Sequence, residues 1–175
     1  MNNNTHNLIR PLIFLDIDGV LNSLRTFLAF EKLQLKEVDP VAVNLMDRLV
    51  RETDADIVIS SSWRIGKPVL YLQEVFRTYF SAPFYDCIID KTPYLCGKRG
   101  DDIREWLEAH PERHNYVIID DDSDMLPSQK SRLVCTDDRV GFDVRDYRKA
   151  LSILMPEHID VGGLKSTVEF KKKFR

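Results

Sequence analysis

Leu12-Ile-Phe-Leu-Asp16-Ile-Asp18-Gly19-Val20-Leu21 is the stretch that decides the fold. An apolar run stops at two aspartates one residue apart and is followed by glycine. A strand buried on both faces of a parallel sheet reads as such a short, continuous apolar run. In open α/β sheets, ligands bind outside the carboxyl ends of the strands. The segment therefore brings two carboxylates to a place where chemistry occurs. Residues i and i+2 of a strand share a face, so Asp16 and Asp18 are expected to enter one site. Gly19 permits a sharp departure of the backbone. Asp-Gly after a strand is also ordinary turn chemistry. Whether the pair does chemistry or only closes a turn is decided by what the rest of the chain brings beside it.

Strand-like and helix-like segments alternate along the 175 residues, which predicts parallel βαβ units. Asp39 caps and Pro40 opens a helix whose inward positions are read as Val41, Leu45 and Leu49. A strand follows at 56–60. A helix at 68–80 turns Val69, Leu72, Val75 or Phe76, and Tyr79 inward. A strand at 86–90 precedes a helix at 101–109 that buries Ile103, Trp106 and Leu107. Further strands lie at 116–120 and 132–136. The last helix, at 143–154, carries Val144, Tyr147, Leu151 and Leu154 on one face. The expected fold is a three-layer, Rossmann-like, doubly wound parallel sheet. The connections after the first two strands are too short for a large cap domain, so a minimal or absent cap and an open site are expected.

Composition fits one domain: 43% hydrophobic and 30% charged residues, with a net charge of −3. That charge does not mark a globally nucleic-acid-binding surface. No stretch is apolar enough for a membrane span, and residues 1–7 lack a signal-peptide core. Cys87, Cys96 and Cys135 are odd in number, without metal spacing. They read as reduced thiols of a cytoplasmic protein. A disordered tail is expected at 1–10, one domain at 11–160 and a basic tail at 161–175. The oligomeric state is not legible.

Three further segments supply what the aspartate pair lacks. Ile57-Val-Ile-Ser60-Ser-Ser-Trp-Arg64 ends a strand in hydroxyls. Ser60 is the first candidate, and Ser61 the second, to donate a hydroxyl hydrogen bond to an anion such as phosphate, with Arg64 able to fork onto the same group. Gly97-Lys98-Arg99-Gly100 offers two cations at the start of a helix, with Lys91 a distant third. Tyr116-Val-Ile-Ile-Asp120-Asp121-Asp122-Ser-Asp124 ends a strand in clustered acids that repel one another unless a cation neutralises them. Asp120 and Asp121 are the candidate metal ligands, with Asp124 an alternative.

These four motifs, in this order, resemble those of the haloacid dehalogenase-like (HAD) phosphatase superfamily. The runs I-F-L-D-I-D-G-V-L-N, S-S-W-R, R-G-D-D-I-R-E-W-L and Y-V-I-I-D-D-D-S-D-M are similar to the HAD domain of Swiss Army Knife RNA repair proteins. The resemblance implies that Asp16 is a nucleophile forming an aspartyl-phosphate and that Asp18 is its acid/base partner. It implies Mg²⁺ held by Asp16, Asp18, Asp120 and Asp121, with Gly19 and Ser61 near substrate. It puts Arg99, rather than the adjacent Lys98, at the basic position. The implied substrate is a phosphorylated RNA or DNA end. A small-molecule phosphatase or 5′-nucleotidase of the same fold, and a non-catalytic phosphate-binding module, are the alternatives.

Overall fold

The computed structural model describes residues 9–33 and 38–156. The tail expected at 161–175, and all but the last two residues of the one expected at 1–10, lie outside them. Five strands form one parallel sheet: β1 (Leu12–Leu15), β2 (Asp56–Ile59), β3 (Ile88–Lys91), β4 (Tyr116–Asp120) and β5 (Leu133–Cys135). Their spatial order is β3-β2-β1-β4-β5, so β1 is central. Among the described residues five α-helices accompany them: α1 (Leu24–Leu33), α2 (Pro40–Thr53), α3 (Val69–Thr78), α4 (Arg99–Ala109) and α5 (Val144–Leu154).

Alternation along β1 divides the core between the two faces of the sheet. Ile13 and Leu15 pack with Met46, Leu49, Phe76 and Ala150 from α2, α3 and α5. Leu12 and Phe14 pack with Ile103 and Trp106 of α4, where Phe14 meets Trp106 edge-on at 5.5 Å. The result is the expected three-layer α/β arrangement.

Asp39 and Pro40 start α2 as expected: the Asp39 carboxylate accepts from Val41 N–H at 2.8 Å. The inward stripe of α2 is Ala42, Val43, Met46, Leu49 and Val50, whereas Val41 is exposed and Leu45 only half-buried. Tyr79 and Val144 are exposed as well. All three exposed residues sit at helix ends, where the chain leaves or approaches the sheet. The segment 83–87, read partly as strand, forms a 3₁₀ turn before β3. Helix α1 was not expected from the sequence. It follows the Asp16–Asp18 turn, and together with α2 it takes up most of the described part of the β1–β2 connection.

Sheet register positions the site. Leu15 lies opposite Ile59 on β2 and Ile119 on β4. The next residues, Asp16, Ser60 and Asp120, therefore emerge side by side at the carboxyl edge of three adjacent strands. Asp16 N–H donates to Ile119 O at 3.0 Å and Ser60 N–H to Leu15 O at 2.9 Å, which carries the parallel ladder right up to the site.

Candidate active site

A cavity of about 670 Å³ opens at this edge, lined by Asp16, Asp18, Arg99, Asp120, Asp121 and Arg139 among others. Asp16 is buried, and its carboxylate accepts from Arg99 Nη1 at 2.8 Å. The Ser61 hydroxyl also bonds it. Burial pushes the Asp16 carboxyl above its usual range, against the pull of Arg99. Arg99 also donates to Ser60 O and lies 3.5 Å from Asp120 Oδ2. Its burial disfavours the charge, but Asp120 and Asp16 outweigh that and hold its pKa above the ordinary value.

Two features hold Arg99 there. Its backbone N–H donates to Asp124 Oδ2 at 3.0 Å, so an acid from the loop after β4 caps α4. Gly100 lets α4 approach that loop: an added Cβ would fall 2.6 Å from Leu126 N and from Gln129 Oε1. Asp124, the alternative metal-side acid from the sequence, thus spends Oδ2 on fixing the helix that carries the cation, while its Oδ1 is buried without a hydrogen-bond partner among the described residues. Lys98 precedes α4 and is exposed, making no described contact with the acid cluster. Lys91 is turned elsewhere: its ammonium donates to Arg64 O and Lys67 O.

Asp16, Asp120 and Asp121 bring carboxylate oxygens within 4.8 Å of one another. Asp120 Oδ2 is buried with no hydrogen-bond partner among the described residues. Burial, then repulsion from Asp16, raises the Asp120 pKa to about 7. The same two causes push Asp121 upward. Hard carboxylate oxygens, one of them unsatisfied, in a cluster that resists full ionisation fit a divalent cation such as Mg²⁺. The Asp18 carboxylate is outside this trio. It is exposed, with Oδ1 accepting from Asn22 Nδ2 and Oδ2 from Trp63 Nε1, both at 2.8 Å.

Gly19 keeps the trio compact. Its φ is +73°, and a Cβ would lie 2.4 Å from Asp121 Cγ and Oδ2. Its N–H is taken by Asn22 Oδ1 at 3.0 Å and its carbonyl by the Thr136 hydroxyl at 2.9 Å. This backbone shapes the acid loop, rather than presenting a free donor to substrate.

Of the two serines, Ser61 reaches Asp16, whereas the Ser60 hydroxyl is buried without a hydrogen-bond partner among the described residues. The Ser61 hydroxyl also accepts from Trp63 N–H at 3.4 Å. Arg64 corrects the sequence expectation. It is only 3% exposed and its guanidinium lies beneath the site. Nε donates to Thr92 O at 2.9 Å; Nη1 donates to Ser60 O at 2.5 Å and Ser61 O at 2.7 Å. Nη2 donates to Pro93 O at 2.9 Å and Asp102 Oδ2 at 2.5 Å. These acceptors occupy every N–H of a guanidinium, so none remains for a phosphate. Arg64 instead ties the Ser60–Ser61 backbone to α4 and the loop after β3.

Sequence reading passed over Asn22 and Trp63, which hold Asp18. An indole N–H inside a polar Ser-Trp-Arg turn was the available signal, since a half-buried Trp seeks a partner for it. It also missed Thr136, the hydroxyl at the end of β5 that fixes Gly19.

A parallel sheet whose central strands end in a buried, Arg-paired aspartate, a serine pair and an acid cluster defines a HAD-type hydrolase domain. The model of one such family, the HAD domain in Swiss Army Knife RNA repair proteins, matches residues 12–147, and the chain belongs to that family. Neither the comparison with curated proteins nor that with solved structures returned a significant match.

Proposed function

We propose that this domain is a Mg²⁺-dependent phosphoric monoester hydrolase that removes phosphate from nucleic-acid ends through an aspartyl-phosphate. The observation that carries the reading is the arrangement around Asp16. Its buried carboxylate bonds Arg99 and lies within metal-sharing distance of Asp120 and Asp121. The nucleic-acid substrate is drawn from the family to which the chain belongs.

Asp16 attacks phosphorus in line while Arg99 balances the charge of nucleophile and phosphoryl oxygens. Asp18 gives a proton to the leaving oxygen and later takes one from the attacking water. Trp63 and Asn22 fix its orientation from either side and leave lone pairs free on both oxygens. Asp16, Asp120 and Asp121 would hold Mg²⁺, which supplies charge neutralisation at the phosphoryl group. Ser61 orients Asp16, and Arg64 supports the backbone beneath both. The open cavity, beside a β1–β2 connection too short for a large cap domain, admits the end of a polymer.

The test is a phosphate-release screen with Mg²⁺ across 3′- and 5′-phosphorylated oligonucleotides, mononucleotides and sugar phosphates. The reading expects turnover of one class of oligonucleotide end, abolished by EDTA. Turnover restricted to mononucleotides or sugar phosphates overturns the substrate assignment. No turnover of any ester overturns the enzyme assignment.

A further inference from the structure

A second groove, of about 400 Å³, adjoins the acid-lined cavity; Asp18 and Asp138 line both. Its remaining walls include Asn22, Leu24, Phe27 and Trp63. Three independent features say what the groove accepts.

The first is position. An acid that protonates a leaving oxygen faces that oxygen, so whatever hangs from it lies on the side of Asp18. The groove occupies that side.

The second is surface chemistry. The first turns of α1 leave Phe27 58% exposed, with Leu24 and Leu28 also exposed beside it. Grouped apolar side chains of this kind mark a surface that is covered in use. Trp63 is already fixed in orientation: its indole N–H is held by Asp18 and its ring packs on Phe80 at 5.7 Å. The groove therefore offers a preformed aromatic wall and an exposed aromatic ring. Asp18 and Asp138 in its lining disfavour a second anionic group, so the occupant is flat, apolar-faced and uncharged.

The third is the state of the polar groups. The Asn22 carbonyl oxygen accepts from Gly19 N–H and its amide donates to Asp18. The Ser23 hydroxyl is paired with Thr26. These groups already have partners within the fold and are poorly placed to read the edge of a base.

Resting on the phosphohydrolase reading, we propose that this groove seats the nucleobase of the terminal, phosphate-bearing nucleotide. The base stacks against Phe27 and Trp63, without discrimination among bases. Aromatic stacking tolerates every base because each has a π-face.

The experiment measures binding of two oligoribonucleotides to the Asp16→Asn protein by calorimetry. One ends in an ordinary phosphorylated nucleotide and the other in the same phosphorylated sugar without its base. Wild-type protein in EDTA serves as a second, unmutated host. The base-bearing end is expected to bind on the order of tenfold more tightly, as for loss of one stacked base. Exchanging purine for pyrimidine should change affinity by less than that. Phe27→Ala should bring the base-bearing ligand most of the way toward the abasic affinity, the Trp63 contact remaining, and Phe27→Tyr should not. Equal binding of the two ends, or binding of neither, overturns the subsite. Turnover of both ends at equal kcat/KM would also overturn it while leaving the phosphohydrolase reading intact. A base-dependent affinity without any turnover would uphold the subsite and remove that reading instead.

Discussion

Replacing Arg64 separates its two readings, support beneath the site and direct grip on a phosphate. The guanidinium is buried and paired with Asp102 at 2.5 Å, with both side chains under 5% exposed. Arg64→Met leaves the Asp102 carboxylate without its ion-pair partner and takes one donor from each of four backbone carbonyls, of which Ser60 O keeps Arg99 and Ser61 O keeps the residue-64 backbone N–H. Asp102 keeps one bond, from Leu95 N–H at 3.0 Å. Breaking a buried pair by removing one partner costs about 3–5 kcal/mol. Against the roughly 5–15 kcal/mol of a whole domain, that is a large fraction. With a urea dependence of about 2 kcal/mol per molar, the unfolding midpoint should fall by roughly 2 M. Arg64→Met combined with Asp102→Leu removes the stranded charge and should recover part of the loss. Equilibrium urea unfolding followed by circular dichroism reads all three proteins. A fall of less than about 1 kcal/mol in Arg64→Met, accompanied by a rise in KM for a phosphate ester, would refute the reasoning. It would restore Arg64 as a substrate ligand.

Three further outcomes follow from the site. Gly19→Ala forces a Cβ into Asp121 at a positive φ. It should cost about 1–2 kcal/mol in stability and also weaken Mg²⁺ binding, read by calorimetry. Arg99→Ala should abolish phosphate release, whereas Lys98→Ala should keep turnover within a few-fold of wild type in a steady-state assay. The Asp120 carboxyl, raised by burial and by Asp16 from 3.8 to about 7, should make Mg²⁺ binding pH-dependent. In the metal-free protein its contribution to stability is full below about pH 4 and is lost as pH rises through about 7. Proton and cation compete for the same oxygens. The increase in melting temperature caused by Mg²⁺ should therefore be small at about pH 5 and large at about pH 8; an equal increase at both would contradict the assignment of Asp120.

Much of this site is legible because strand ends are legible. An unbroken apolar run that stops at an acid marks both a buried strand and its carboxyl edge, as at Leu12–Asp16 and Tyr116–Asp120. The Asp39-Pro40 start of α2 is equally local, since the cap bond spans only two residues. The partners of the polar groups are not legible, because they are settled by distant backbone. Arg64 looks like a phosphate ligand in sequence, yet its acceptors come from Ser60, Ser61, Thr92, Pro93 and Asp102, spread over three segments. Asp124 reads as a metal-side acid, and nothing local shows that its Oδ2 also caps a helix 25 residues upstream in the chain. Helix α1 escaped notice although Leu24, Phe27 and Leu28 carry helical spacing. Those residues do not enter the core, so the pattern marks no buried face. Val41 and Tyr79 failed for the opposite reason: they fit the period, but helix ends diverge from the sheet.

The central claim is that Asp16 forms a covalent bond to phosphorus. The direct measurement is rapid acid quench of wild-type protein during turnover of a phosphorylated oligonucleotide, followed by mass spectrometry of its peptides. A phosphoryl adduct on Asp16, absent from Asp16→Asn and from protein in EDTA, is the predicted result. An adduct on another residue, or undiminished phosphate release by Asp16→Asn, would contradict it.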